Sequence, residues 1–99
     1  MMKPSILIVM GLVLTASVAQ ADEPDLAHGK AVFSRNCALC HGAAGAGGLG
    51  PKLKGIKDRK TDAEIESQLK EPKGTMPKMY PAPVGDKDLA DVVAYLKSL

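Results

Sequence analysis

The apolar residues near the C-terminal end of the chain recur at the spacing of an amphipathic α-helix. They occupy positions i, i+3, i+4, i+7 and i+10, namely Leu89, Val92, Val93, Leu96 and Leu99. Gly85 or Asp86 stands where the cap of such a helix is needed. No stretch alternates apolar and polar residues as a strand does, and the sequence contains no internal repeat. The pattern therefore predicts an all-α protein.

Start and stop signals predict two further helices, both upstream of the C-terminal one. Asp25 can cap a helix that runs to about Asn36. Thr61 and Glu64 have the spacing of a capping box, and the helix that they open ends before Pro72. The chain is thus expected to contain short helices separated by long connections.

The connecting segments, residues 42–60 and 72–85, show neither a helical nor a strand period. The first holds six of the ten glycines and the second holds four of the seven prolines. Long irregular loops are unusual in so small a domain unless they wrap something. An aromatic content of 3% also leaves little side-chain volume for a core. The sequence therefore indicates that a bound group supplies apolar volume.

The N-terminal residues have the features of a secretory signal peptide. Lys3 supplies positive charge, residues 6–14 form an apolar run, and Ala19 and Ala21 form a small-x-small cleavage site. The apolar run is short for a transmembrane span, so an uncleaved anchor is the less favoured alternative. We expect residues 1–21 to be removed and residues 22–99 to form one domain, exported to the periplasm without stable membrane insertion.

The charge balance narrows the choice of partners. The 13 basic and 11 acidic side chains leave a formal net charge of +2, which excludes bulk electrostatic binding of nucleic acid. The basic residues cluster locally at Lys52, Lys54, Lys57, Arg59 and Lys60. This basic stretch is either a docking rim for an acidic partner or a solvated loop.

Residues 37–41 spell C-x-x-C-H, the attachment pattern of haem c. Thiols three positions apart on one helical turn can add to the two vinyl groups on one edge of a porphyrin, and the next residue then lies under the iron. A thioredoxin-like pair needs a βαβ context, and a zinc site needs four ligands, for which His28 is the only extra candidate. The motif therefore predicts covalent attachment at Cys37 and Cys40 and axial ligation by His41.

A second axial ligand is expected from the proline-rich loop. The candidates are Met76, Met79 and His28. His28 lies on the first helix near the attachment point and is interpreted as a solvated helix residue. Pro77 restricts Met76 to an extended backbone, which favours Met76 and leaves Met79 as the alternative.

Other residues are expected to surround the bound group. The second N–H of His41 is expected to donate to a backbone carbonyl, and Tyr80 either packs on the haem, bonds a propionate or is a plain loop aromatic. Apolar residues expected at the porphyrin or the helix crossing are Leu39, Leu53, Ile65, Leu69, Val93 and Leu96.

Over residues 25–99 the chain resembles the small monohaem class I cytochromes c. The features that carry the resemblance, besides C-x-x-C-H, are Gly29-x-x-x-Phe33 in the first helix, Gly50-Pro51, Gly74-Thr75-Met76-Pro77 and Tyr95-Leu96 in the last helix. Met79 is a departure from the family pattern. The resemblance also implies that the carbonyl of Pro51 accepts from the second N–H of His41; the alternative is that Gly50-Pro51 is only a turn.

The resemblance implies three to four helices and long loops wrapped around one covalent haem c, with the N- and C-terminal helices crossing. It also implies a soluble, monomeric one-electron carrier between periplasmic redox partners, and not an enzyme. The alternatives are a haem c subunit of a larger dehydrogenase or oxidase and a gas-binding cytochrome with an open distal site.

Overall fold

A computed structural model of the chain describes Gly11 and residues 23–99, so the predicted signal peptide lies, except for Gly11, outside the described residues. The helices are α1 (Leu26–Asn36), α2 (Ala38–His41), α3 (Asp62–Lys70) and α4 (Asp86–Lys97), with 3₁₀ turns at Ala43–Gly45 and Ile56–Asp58. No strand occurs within residues 23–99, which confirms the all-α prediction. Across the same part of the chain, no helix has the length and apolar character that crossing a bilayer requires.

The helix starts follow the local capping signals. Asp25 accepts a hydrogen bond from the backbone N–H of His28 at 3.0 Å. Thr61 and Glu64 form the reciprocal capping box, with bonds of 3.0 and 3.2 Å. Gly85 is the N-cap of α4. These starts agree with the sequence prediction, whereas the two 3₁₀ turns lie in a segment that was expected to be wholly irregular.

Helices α1 and α4 make the main helix contact of the fold. A Cβ atom on Gly29 would lie 2.1 Å from the backbone oxygen of Asp91 and 2.9 Å from the Cβ of Tyr95, so only glycine lets the helices approach this closely. Beside it the rings of Phe33 and Tyr95 pack with their centroids 5.5 Å apart. The crossing of the terminal helices is therefore set by one missing side chain and one aromatic pair.

The apolar core is small and joins α1, α3 and α4. Its buried members are Val32, Phe33, Cys37, Ile65, Leu69, Val84, Leu89, Val92, Val93 and Leu96. Leu53 is half-buried against this cluster, whereas Leu39 is 92% exposed and does not join the helix crossing. The exposure of Leu39 follows from its place on α2, a single turn whose outer face no other helix covers.

Candidate haem site

The two cysteines flank one helical turn at the end of α1. The backbone N–H groups of Cys40 and His41 both donate to the carbonyl of Cys37, at 3.2 and 3.0 Å. Both thiols are free, with Cys37 buried and Cys40 half-buried. Burial, and secondarily the neighbouring Cys40, raises the pKa of the Cys37 thiol to about 11. Burial therefore disfavours the thiolate form of Cys37.

The imidazole of His41 is buried and held by one hydrogen bond. Its Nδ1 atom lies 2.8 Å from the carbonyl oxygen of Pro51, which is the acceptor expected from the sequence. Because a carbonyl can only accept, Nδ1 is the donor, and in the neutral ring Nε2 then has the lone pair that can coordinate a metal. A Cβ on Gly50 would lie 3.0 Å from the ring, so glycine allows the loop to lie flat against it.

Backbone hydrogen bonds hold the segment that presents His41. Gly47 donates to the carbonyl of His41 and Gly50 donates to that of Cys40, both at 2.7 Å. Gly42 has a φ of +80°, and a Cβ there would lie 2.5 Å from the carbonyl of Gly47. The glycines of this segment therefore allow the backbone to pack closely around the imidazole.

The proline-rich loop brings both candidate methionines against the core. Met76 and Met79 are half-buried beside the apolar cluster. The side-chain amide of Gln68 lies 3.7 Å from the sulfur of Met76 and exchanges two bonds with the backbone of Lys73, at 3.2 and 3.3 Å. Gln68 thus connects α3 to the loop on the N-terminal side of Met76, a role that no sequence motif indicated.

Tyr80 joins the same loop to the helices on either side of it. Its hydroxyl donates to the carboxylate of Asp86 at 2.6 Å, and the Nζ atom of Lys70 lies 5.4 Å from its ring centroid. The hydrogen bond to Asp86, together with the negative charge of that carboxylate, raises the pKa of Tyr80. The hydroxyl that was expected near the haem is thus bonded to α4.

The comparisons with known proteins agree on one family. The model of the family described as cytochrome c oxidase, cbb3-type, subunit III matches residues 24–96. A cytochrome c-553-like protein of Synechocystis is 37% identical, over 76% of this chain and 70% of the relative. This chain belongs to the class I cytochrome c family.

Further relatives of this cytochrome c support the assignment. Cytochrome c6 of Synechocystis is 32% identical over 94% of this chain and 79% of its own length. The crystal structure of cytochrome c6 from the diatom Phaeodactylum tricornutum superposes with a TM-score of 0.62 at 32% identity, covering 75% of this chain and 92% of that one. The predicted class I fold is therefore confirmed.

The residues of this cytochrome c fit the family's cofactor, one covalently bound haem c. Two free thiols share one helical turn, and beside them a buried imidazole has one nitrogen bonded and the other carrying a lone pair. The half-buried thioethers of Met76 and Met79 in the proline-rich loop are further potential donors to a haem iron. The fit therefore rests on donor chemistry that these residues already have.

His28 has a different environment from the one expected. Its Nδ1 atom lies 2.6 Å from Asp91 and its Nε2 atom 3.2 Å from Asp88, so the solvated-residue interpretation is wrong. Asp91 is buried at the helix crossing and also accepts from the backbone of Asp25 and from Lys87. Although burial alone would raise it, these donors hold the pKa of Asp91 down at about 2. Asp88 and Asp91 share one face of α4, but no sequence motif indicated that this face meets His28.

The basic stretch divides into tied and free side chains. The guanidinium of Arg59 donates to the backbone carbonyls of Lys52 and Lys54, both at 3.1 Å, so it secures the loop. Lys60 lies 3.8 Å from a carboxylate oxygen of Glu64. The exposed ammonium groups left for a partner are those of Lys52, Lys54 and Lys57.

Proposed function

We propose that the protein is a soluble, monomeric one-electron carrier that moves between redox partner proteins in the periplasm. Its haem c would be held by thioether bonds to Cys37 and Cys40, with His41 and Met76 as axial ligands. The observation that carries the proposal is the proximal arrangement, in which the buried His41 ring donates to Pro51 and keeps its other nitrogen available. Residues 1–21 would direct export and be cleaved, leaving residues 22–99 as the working domain.

Each residue has a distinct role in this proposal. The bound haem supplies an iron that gains and loses one electron. Pro51 fixes the orientation of His41 and increases the basicity of its ring through the Nδ1–H bond. The soft thioether of Met76 favours the reduced iron and raises the potential relative to a second histidine. Leu53 and Tyr80 would lie at the margin of the haem, where the half-buried Leu53 helps to exclude water.

The geometry of the loop supports Met76 over Met79. Met76 receives the amide contact from Gln68, which gives its sulfur a defined environment. The backbone carbonyl of Met79 instead accepts from Val84 at 2.9 Å, closing a turn at the far end of the loop. This bond involves the backbone of Met79 and not its sulfur, so the choice of Met76 rests on the contact from Gln68.

Mass spectrometry and a redox titration of the purified holoprotein test the proposal. We expect one haem per chain, attached through both cysteines, a single wave of one electron and the iron–sulfur absorption band of a methionine ligand in the oxidised state. A chain that holds no covalent haem would refute the carrier. A covalent haem that binds carbon monoxide freely without that band would favour the gas-binding class.

A haem c subunit of an oxidase is the second candidate, favoured by the description of the matching family. The exposed side chains of Leu39 and Leu49, 92% and 94% accessible, offer apolar surface to such an assembly. Size-exclusion chromatography of the protein from a detergent-treated lysate of its own cells, soluble and membrane fractions together, separates the two. Elution with a larger complex indicates a subunit, and elution at the monomer position indicates the free carrier.

A further inference from the structure

The methionine loop has well-defined attachments at its two ends and few in its middle. At its start the side chain of Gln68 bonds both backbone groups of Lys73. At its end Val84 is 2% exposed and is part of the core. Between these attachments Pro77 and Lys78 are exposed, and Met76, Met79 and Tyr80 are only half-buried. Whatever holds the middle of the loop will therefore affect how firmly a methionine is presented.

Tyr80 provides the side-chain attachment in this middle stretch. Its hydroxyl donates to Asp86 in the first turn of α4, and its ring lies against the ammonium of Lys70 in the last turn of α3. Among residues 77–83, it is the one described side chain that hydrogen-bonds to a helix. One residue thus joins the loop to both helices that border it.

We infer that Tyr80 is a positioning residue that keeps the methionine loop closed through its contacts with Asp86 and Lys70. The inference rests on the proposed methionine ligation only for its effect at the iron. The closed loop favours the methionine over any external ligand, because an external ligand binds only to the fraction of molecules in which the loop has opened. Loss of one hydrogen bond to a carboxylate is expected to raise that fraction about tenfold.

Binding of imidazole to the oxidised holoprotein measures this opening. Tyr80→Phe and Asp86→Ala should each strengthen imidazole binding about tenfold, and the double variant should exceed neither by much because both remove the same contact. Asp86→Asn keeps an oxygen acceptor and should restore most of the closed state. Tyr95→Phe removes a hydroxyl from the helix crossing instead and should bind imidazole as the unaltered protein does.

Amide hydrogen exchange in the same holoproteins measures the opening of the loop independently of iron ligation. The N–H of Val84, bonded to Met79 within the loop, should exchange about tenfold faster in Tyr80→Phe than in Tyr95→Phe. Amides of the α1–α4 crossing should exchange at equal rates in both variants, which separates loop opening from global unfolding.

The two measurements distinguish the possible failures. Absence of the iron–sulfur band from the unaltered protein would overturn the proposed ligation. In that case the exchange rate of the Val84 amide would by itself test the positioning role of Tyr80. Equal imidazole binding and equal Val84 exchange in Tyr80→Phe and Tyr95→Phe would overturn the positioning role. Faster exchange in Tyr80→Phe with restoration by Asp86→Asn in the imidazole assay would support it.

Discussion

The two sides of the proposed haem site are built by different means. On the proximal side, residues 37–53, backbone hydrogen bonds and close-packed glycines surround His41. On the distal side, residues 72–85, side chains from the bordering helices hold the loop, chiefly through Gln68 and Asp86. A backbone scaffold fixes a ligand rigidly, whereas side-chain contacts can be changed one at a time. The proximal side therefore suits a permanent ligand and the distal side a tunable one.

The largest expected effect comes from removing the attachment of the haem itself. Cys37→Ala combined with Cys40→Ala should leave a largely unfolded chain, because the loops on both sides would have nothing to enclose and the remaining core is small. Far-ultraviolet circular dichroism and thermal melting measure this. Near-native helix content with a cooperative transition in the variant would show that the polypeptide folds without its cofactor.

One glycine on each side allows a direct comparison of how well the two sides tolerate an added methyl group. Gly42→Ala should destabilise the holoprotein by about 3 kcal/mol, because its φ is +80° and the added Cβ would meet the carbonyl of Gly47. Gly74→Ala, with a φ of +78° but open space around it, should cost only about 1 kcal/mol. Denaturant unfolding gives both values. Equal costs would contradict the contrast between a packed proximal side and an open distal loop.

Acid should weaken the crossing of α1 and α4 through protonation of Asp91. The pKa of Asp91 is about 2 in the folded protein and 3.8 for a free side chain. A lowered carboxyl pKa stabilises the fold at higher pH, and this contribution of about 2 kcal/mol is lost as the pH falls from about 4 to about 2. Unfolding free energies against pH should fall more steeply for the unaltered protein than for Asp91→Asn. Parallel curves would show that Asp91 does not contribute to the pH dependence of the unfolding free energy.

A smaller effect is expected at the surface. If Lys52, Lys54 and Lys57 steer an acidic partner, the rate of electron transfer should fall as the salt concentration rises to the physiological range, where the screening length is about 8 Å. Reversing the charge of Lys54 and Lys57 should flatten this dependence. A rate that does not change with salt in the unaltered protein would identify the basic stretch as a solvated loop.

Sequence reasoning predicted the elements whose causes are local. The caps at Asp25 and Thr61 and the spacing in α4 each depend on residues a few positions apart, and the structure contains all of them. The bond from His41 to Pro51 was also expected, but from the resemblance of Gly50-Pro51 to a family motif. The caps needed only local chemistry, whereas the acceptor of His41 needed a known family for comparison.

The unpredicted features join residues far apart in the sequence. The contact between His28 and Asp91 spans 63 positions, and neither residue belongs to a recognisable motif. The roles of Gln68 and Asp86 depend on where α3 and α4 lie relative to the loop, which no local pattern specifies. The distal side was less predictable for the same reason that it is tunable, since separate side chains hold it in place.

The most direct test of the account is the iron–sulfur absorption band in two single variants of the oxidised holoprotein. Met76→Ala should abolish the band, lower the potential and open the iron to carbon monoxide, while Met79→Ala should leave all three nearly unchanged. The double variant controls for a loop that slides by three residues to restore a ligand. Loss of the band in Met79→Ala with its retention in Met76→Ala would contradict the assignment of the distal ligand.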